Sequence, residues 1–255
     1  MARVSALFRH PVKALGSEPL ERAEFLPGQT MPGDRVWALA HDRSRFDFDD
    51  PAWARCSTFL RGATFPSLMA VTAEGEPGGP ITFRHPDRDP LTVDLATQEG
   101  EAAFVAWADP LIPEGRPRPS RLAHAPGRGM TDQESQWVSI LSDASLAAVA
   151  EAAGKPMDRR RFRGNIWVEG VAPWAETDWI GREIMLGPVA LRVTEPIGRC
   201  SATHADPETG RRDLDMLSIL TGLGQQENFG VFAEVLSPGD VAVGDAVSLL
   251  TGARA

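Results

Sequence analysis

Twenty-four glycines and 21 prolines are scattered along this 255-residue chain. That distribution constrains the fold more than any single motif, because each proline and many glycines end a regular element. It predicts many short strands and helices joined by turns. The length suits one large or two modest domains with real cores. A net charge of -9 argues against general nucleic-acid binding, which needs a basic face. No apolar run approaches a membrane span, and no signal-peptide core follows Arg3, so a cytoplasmic protein without a membrane partner is expected. Two cysteines, Cys56 and Cys200, provide neither a disulfide framework nor a metal knuckle.

Taken in order, Val4 to Phe8 reads as a first strand, stopped at His10-Pro11, and Pro11 to Gly16 as a turn carrying Lys13. A second strand is expected over Leu20 to Leu26. Asp34-Arg35 then leads a strand with Val36 and Ala38 on one face. The acidic, aromatic run Phe46 to Trp53 reads as a surface loop, and Cys56, among small and apolar neighbours, as structural. Strands are expected over Ser67 to Thr72, Ile81 to Phe83 and Leu91 to Leu95, with a helix over Glu99 to Trp107. Residues Pro110 to Pro126, rich in Pro, Gly and Arg, read as the linker between two halves.

The second half opens with a strand over Gln136 to Leu141. Ser142-Asp143 then caps an alanine-rich helix, Ala144 to Ala153, which Gly154 and Pro156 end. That helix start, with its free N–H groups and Ser145, reads as a ready anion site. The run Arg159 to Arg163 holds the densest positive charge in the chain and leads through Asn165 into the strand Ile166 to Glu169. Arginines at a strand's entrance can hold an oxyanion bidentately, which points to a compact anion such as a phosphate within a larger polar molecule. Val189, Leu191 and Val193 alternate with Ala190, Arg192 and Thr194 as a half-buried strand does. Glu195-Pro196 and Gly198 are expected to break it into a loop that presents Arg199 and Cys200, then the turn Asp206 to Gly210. A guanidinium beside a cysteine past a strand end stabilises a thiolate. Asp206 and His204 are candidate proton-transfer groups. A helix over Asp213 to Leu223 with Asp213 and Asp215 at its start, and closing strands over Val231 to Leu236 and Val241 to Leu249, complete the scaffold.

The motifs HPVKALG (10–16), GDRVWAL (33–39), SDASL (142–146), RFRGN (161–165), AETDWIG (175–181), RCSAT (199–203) and DPETG (206–210), with FGVFAEV and PGDVAVGD near the end, resemble those of the MOSC-domain proteins. That family is named for the C-terminal domain of molybdenum cofactor sulfurase, and the chain looks most similar to its two-part members of the amidoxime-reducing type. The resemblance implies a β-rich α+β fold. In it an N-terminal β domain (1–120) precedes a MOSC β-barrel (121–255) with a few short helices. It also implies a pterin-based molybdenum cofactor between the two parts, and no pyridoxal phosphate site. In this family the cysteine after the arginine ligates molybdenum, which carries over to Cys200. Lys13, Arg35, Arg163 and Asn165 correspond to residues that touch the cofactor's phosphate and pterin, with Ser145 and Arg199 completing the pocket and Asp206 a catalytic candidate.

Ala14 stands where the family usually has serine, and Gly164 where it usually has proline. No C-terminal cysteine cluster accompanies the motifs, so electrons would come from a separate donor protein, ferredoxin-like or cytochrome b5-like. The favoured function is reduction of N-oxygenated small molecules at a molybdenum centre on Cys200. The alternatives are a non-catalytic carrier of the cofactor, and a sulfur carrier with a persulfide on Cys200.

Overall fold

The computed structural model of the chain describes residues 1–76 and 78–250. Its largest sheet has eight strands. Their order is Val247–Leu249, Glu183–Leu186, Val189–Gly198, Asn228–Val235, Val138–Ser142, Ile166–Glu169, Arg3–Arg9 and Glu18–Leu20. The alternation read in the sequence decides how this sheet curls. Val189, Leu191 and Val193 are fully buried with Val138, Ile140, Val168, Val231 and Ala233, while Arg192 faces solvent. The first strand meets the far end of the sheet through Val4 N–H to Asp245 O (2.8 Å), Gly244 N–H to Val4 O (2.8 Å) and Val247 N–H to Ala2 O (2.9 Å). The sheet thereby closes on itself around one apolar core, which removes most of its free edge. Arg3–Arg9 thus belongs to the same sheet as the C-terminal strands, and Arg22–Phe25 pairs with Gly239–Ala242.

The remaining N-terminal segments build a second core. Trp37–His41 lies between the parallel pair Val12–Lys13 and the antiparallel strand Pro119–Ala123. A three-stranded meander, Thr72–Gly75, Ile81–His85 and Arg88–Val93, packs with the helix Gln98–Ala108. The Thr97 side chain caps that helix by accepting from Gly100 N–H, and Phe83, Phe104 and Trp107 meet beneath it. Among the described residues no helix is long and apolar enough to cross a membrane.

Several elements differ from the sequence reading, each for a local reason. Pro66 opens a 3-10 turn over Pro66–Ala70, so the strand starts only at Thr72. The third strand of the meander is Arg88–Val93, because Asp94 already begins the turn that caps the next helix. Arg35 has φ +51°, which starts the strand at Trp37 and leaves Val36 exposed while Ala38 is buried. Within the expected linker, Pro119–Ala123 is a strand, since Leu122 and Ala123 complete the core against Leu39 and Ala38. Pro196 does not stop its strand. Val189–Gly198 continues past it through two register shifts, where a missing N–H is tolerated. The late helix is Met216–Gly222, capped by Asp215, whereas Asp213 is occupied elsewhere. Val241–Leu249 divides into Gly239–Ala242 and Val247–Leu249 around the turn at Gly244-Asp245.

Candidate functional site

Two short N-terminal elements and two C-terminal loops converge on a cavity of about 320 Å³ whose lining includes Lys13, Arg35, Arg163, Arg199 and Cys200. A smaller space of about 60 Å³ adjoins it, sharing Arg35, Arg163 and Arg199 and adding Asn165. The pairing of Val12–Lys13 with Trp37–Ala38 explains why Lys13 and Arg35, 22 residues apart, come together. The 3-10 turn Arg159–Phe162 ends with Arg163 at φ +49°, and this left-handed residue turns its guanidinium back across the other half. Arg163 donates to the carbonyls of Gly16, Val12 and Leu15, each at 3.2 Å, while Arg35 Nη2 donates to Arg163 O at 3.0 Å.

Backbone strain gathers here. Ala14 (φ +67°), Arg35 and Arg163 all hold left-handed conformations that cost a non-glycine residue roughly 1 kcal/mol or more. All three line the cavity. Ala14, which stands where the proteins the chain resembles usually have serine, is thus one of these strained residues. Gly164 has its own steric reason. A Cβ there would lie 2.2 Å from Leu141 Cδ1, so the leucine side chain occupies the space a larger residue would need.

The cations differ in how they are neutralised. Lys13 is 4% exposed; its Nζ donates to Met130 O (2.9 Å) and Asp132 Oδ1 (2.5 Å), and burial lowers its pKa despite that carboxylate. Arg35 is paired with the buried Asp34. Arg163 and Arg199 have no carboxylate within 4.0 Å among the described residues. Arg199 donates instead to Phe229 O (2.9 Å) and Phe162 O (2.8 Å), with its guanidinium 5.6 and 5.9 Å from the centroids of the stacked Phe162 and Phe229 rings. Burial pulls Arg163 down to about 9, and the neighbouring charge of Arg35 adds to this. Burial also pulls Arg199 down to about 9, against the opposing effect of Cys200. Both stay cationic at neutral pH. The carbonyls satisfy their N–H groups without cancelling their charge, so the cavity holds a positive excess suited to an anion.

Cys200 is exposed at the mouth, where it leads the 3-10 turn Ser201–His204. Its carbonyl accepts from Thr203 N–H (3.1 Å) and Thr203 Oγ1 (2.9 Å). His10 sits behind the cavity, fully buried, with Nδ1 3.3 Å from Gly16 O and Nε2 3.5 Å from Gly164 O. Burial, then the charges of Arg163 and Arg35, hold its pKa well below the ordinary value, so it is a neutral wedge between the two halves.

Residues 1–115 match the family described as the MOSC N-terminal beta barrel domain, and residues 127–248 match the MOSC domain. The chain is 31% identical to human "Mitochondrial amidoxime-reducing component 1", over 97% of this chain and 82% of that protein. The chain belongs to the MOSC-domain family. A 40% match to "Molybdenum cofactor sulfurase" of Anopheles gambiae covers 28% of this MOSC protein and 9% of that one. The solved YuaD protein from Bacillus subtilis aligns over 97% of this chain and 94% of its own, at 14% identity and a TM-score of 0.45.

Of the residues singled out in this MOSC protein, Lys13, Arg35, Arg163, Arg199 and Cys200 line one cavity, and Asn165 lines its annex. The Asn165 side chain is already engaged. Its Oδ1 accepts from Ser139 Oγ (2.8 Å) and its Nδ2 donates to Phe8 O (3.2 Å), which locks three barrel strands together. Ser145 lies outside both spaces, fully buried, where its Oγ donates to Glu176 (2.7 Å) and accepts from Trp174 N–H (2.8 Å). Asp206 also lies away from the thiol. It lines an open groove and uses Oδ1 to accept from Glu208 N–H (2.7 Å) in its own turn. His204 Nε2 is 3.5 Å from Asp215 Oδ1, off the cavity.

The sequence did not single out Arg61, Gly62 or Asp132 and marked Cys56 as structural; all four line the cavity. Cys56 is half-buried and faces the same space as Cys200. Its small and apolar neighbours in sequence pointed to a structural residue, and the packing of the two halves also sets it against the cavity. Gly62 forms part of a close floor, since a Cβ there would lie 2.4 Å from Met69 Sδ.

Proposed function

We propose that this MOSC protein binds a pterin-based molybdenum cofactor in the cavity between its halves, with Cys200 as the protein ligand, and that it reduces N-oxygenated compounds. The observation that carries this reading is the positive excess around one exposed thiol: Lys13, Arg35, Arg61, Arg161, Arg163 and Arg199 line the same cavity as Cys200, and among the described residues the last two and Arg61 have no carboxylate within 4.0 Å. A chelate that brings its own sulfur donors and a phosphate needs just one soft thiolate and an anion cradle from the protein. Among the described residues no group of three or more His, Cys, Asp or Glu is placed to hold a metal by itself. The relatives named for amidoxime reduction and for molybdenum cofactor sulfuration support the same group. When bound, the cofactor supplies the redox chemistry. Lys13, Arg35, Arg163 and Arg199 hold its anionic end, Cys200 fixes the metal, and the floor at Gly62 limits how deeply the ligand enters. A small molecule is the substrate, and a separate ferredoxin-like or cytochrome b5-like protein delivers the electrons.

The test is molybdenum analysis with pterin fluorescence on protein made in a cofactor-producing host, beside Cys200→Ala. Near-stoichiometric metal in the parent, its loss in the variant, and matching melting curves for the cofactor-free forms of both are expected. Metal with no amidoxime turnover would leave a cofactor carrier. No metal, with cyanolysable sulfur on Cys200, would replace the reading with a persulfide carrier.

A further inference from the structure

Arg161 is buried to 2% exposure and lines both the Cys200 cavity and the larger groove outside it. Its guanidinium makes a two-pronged contact with Asp213, Nη1 to Oδ1 at 2.8 Å and Nη2 to Oδ2 at 3.0 Å. Nη1 also donates to Thr203 O at 3.1 Å. Thr203 returns two hydrogen bonds to the carbonyl of Cys200, and Asp213 N–H donates to His204 O at 3.1 Å. A bridge between Ala205 and Arg212 closes the loop behind them. Every link from Arg161 to the thiol-bearing residue is therefore a hydrogen bond to backbone, and a planar fork fixes direction as well as distance.

We infer that Arg161 is a positioning residue that, with Asp213 and through Thr203, sets where the Cys200 sulfur lies relative to the cationic lining of the cavity. This rests on the reading that Cys200 is the reacting residue, but not on molybdenum. Lys155 holds Asp213 from the other side at 2.5 Å, so the carboxylate is itself fixed and the fork has little freedom to slide. The Arg161 Nε has no partner among the described residues, and beside Asp213 and Thr203 the guanidinium has just one longer polar contact, Nη2 to Asp206 Oδ2 at 4.0 Å.

The experiment uses the full chain without cofactor and reads peptide-resolved alkylation of Cys200 and Cys56 at one fixed pH. Neutral iodoacetamide is compared with anionic iodoacetate. A thiolate held beside Arg199 and Arg163 favours the anionic reagent, so the rate ratio reports the sulfur's place among the charges. Asp213→Ala decides the matter, because charge and position predict opposite signs. Removing a carboxylate would by electrostatics alone raise the iodoacetate preference at Cys200. Lost positioning lowers it, by roughly threefold or more for a move of a few ångström among partly screened charges. Thr203→Val, which changes no charge, is expected to lower the ratio in the same direction, since it breaks the Oγ1 link.

Cys56, facing the same cavity from the other half, is the internal reference, and its ratio should stay unchanged in both variants. An unchanged or raised ratio at Cys200 in Asp213→Ala would overturn the inference. So would equal changes at both cysteines, since those report general loosening. Absence of molybdenum from the parent protein, by contrast, would defeat the proposed function and leave this result standing.

Discussion

An open groove of about 1230 Å³ and the much smaller cavity beside Cys200 share the side chain of Arg161 and differ in their charge balance. In the groove every arginine of the Arg159–Arg161 run meets a carboxylate. Arg159 pairs with Asp143 (2.7 Å), Arg160 with Asp158 (2.6 Å) and Arg161 with Asp213. Two residues further on, Arg163 enters the cavity and finds only carbonyls. Volume therefore does not mark the site. A buried charge left without a counterion marks it, because folding tolerates that cost only where a ligand or the packing repays it.

The widest separation between the two regions should come from Arg161→Ala and Arg163→Gly. Removing Arg161 leaves Asp213 with Lys155 alone and releases the Thr203 carbonyl, so stability should fall by roughly 2 kcal/mol, discounted for the partial exposure of Asp213. Thermal unfolding of the cofactor-free protein measures it, and a loss under half that size would mean the pair is no anchor. Glycine is chosen at 163 because it accepts φ +49° without strain. Here the loss of three hydrogen bonds to the carbonyls of Val12, Leu15 and Gly16 is offset in part by removal of a buried charge without a counterion, so stability should fall less than in Arg161→Ala, while cofactor retention should drop about tenfold or more, the weight of a charge-assisted contact. Equal cofactor content in Arg163→Gly and parent would remove that arginine from the site.

A smaller effect comes from His10, at the back of the cavity. Its folded pKa lies below the ordinary histidine value, so the unfolded chain binds the proton first. Stability is complete above about pH 6.5 and declines as the pH falls through that value, by at most about 1.4 kcal/mol per pH unit. His10→Gln should flatten this slope in denaturant unfolding across pH 5 to 7. A slope the variant leaves intact would point to His85, whose pKa burial also lowers.

Much of this contrast was legible in the chain. The alternation of Val189, Leu191 and Val193 and the capping serine Ser142 reported their own backbone, because both signals are local. Lys13, Arg35, Arg163, Arg199 and Cys200 were found through motifs, and the fold brings them together. Ser145 and Asp206 carried motifs too, yet their partners, Glu176 and the turn at Glu208, lie away from the thiol. No local pattern distinguishes an anion cradle from a helix cap that is already filled. Cys56, read as structural, lines the cavity as well, since its surroundings in sequence are not its surroundings in space. Pro196 misled because a proline ends a strand only where its missing N–H would have been needed, and a register shift removes that need.

The smallest expected effect is the sharpest control on the comparison. Arg160 belongs to the same run as Arg163 and carries the same charge, but its guanidinium is spent on Asp158, two residues away. Asp158 burial would raise that carboxyl, yet hydrogen bonds from Arg160 outweigh it and hold the pKa below the ordinary range. The pair is therefore a local device that shapes the turn before Arg163. Arg160→Ala should cost at most about 1 kcal/mol, as for other partly exposed ion pairs, and should leave cofactor content at the parent level. If Arg160→Ala lost cofactor as Arg163→Gly does, summed positive charge rather than unpaired charge would select the ligand, and the groove would have to be counted as part of the site.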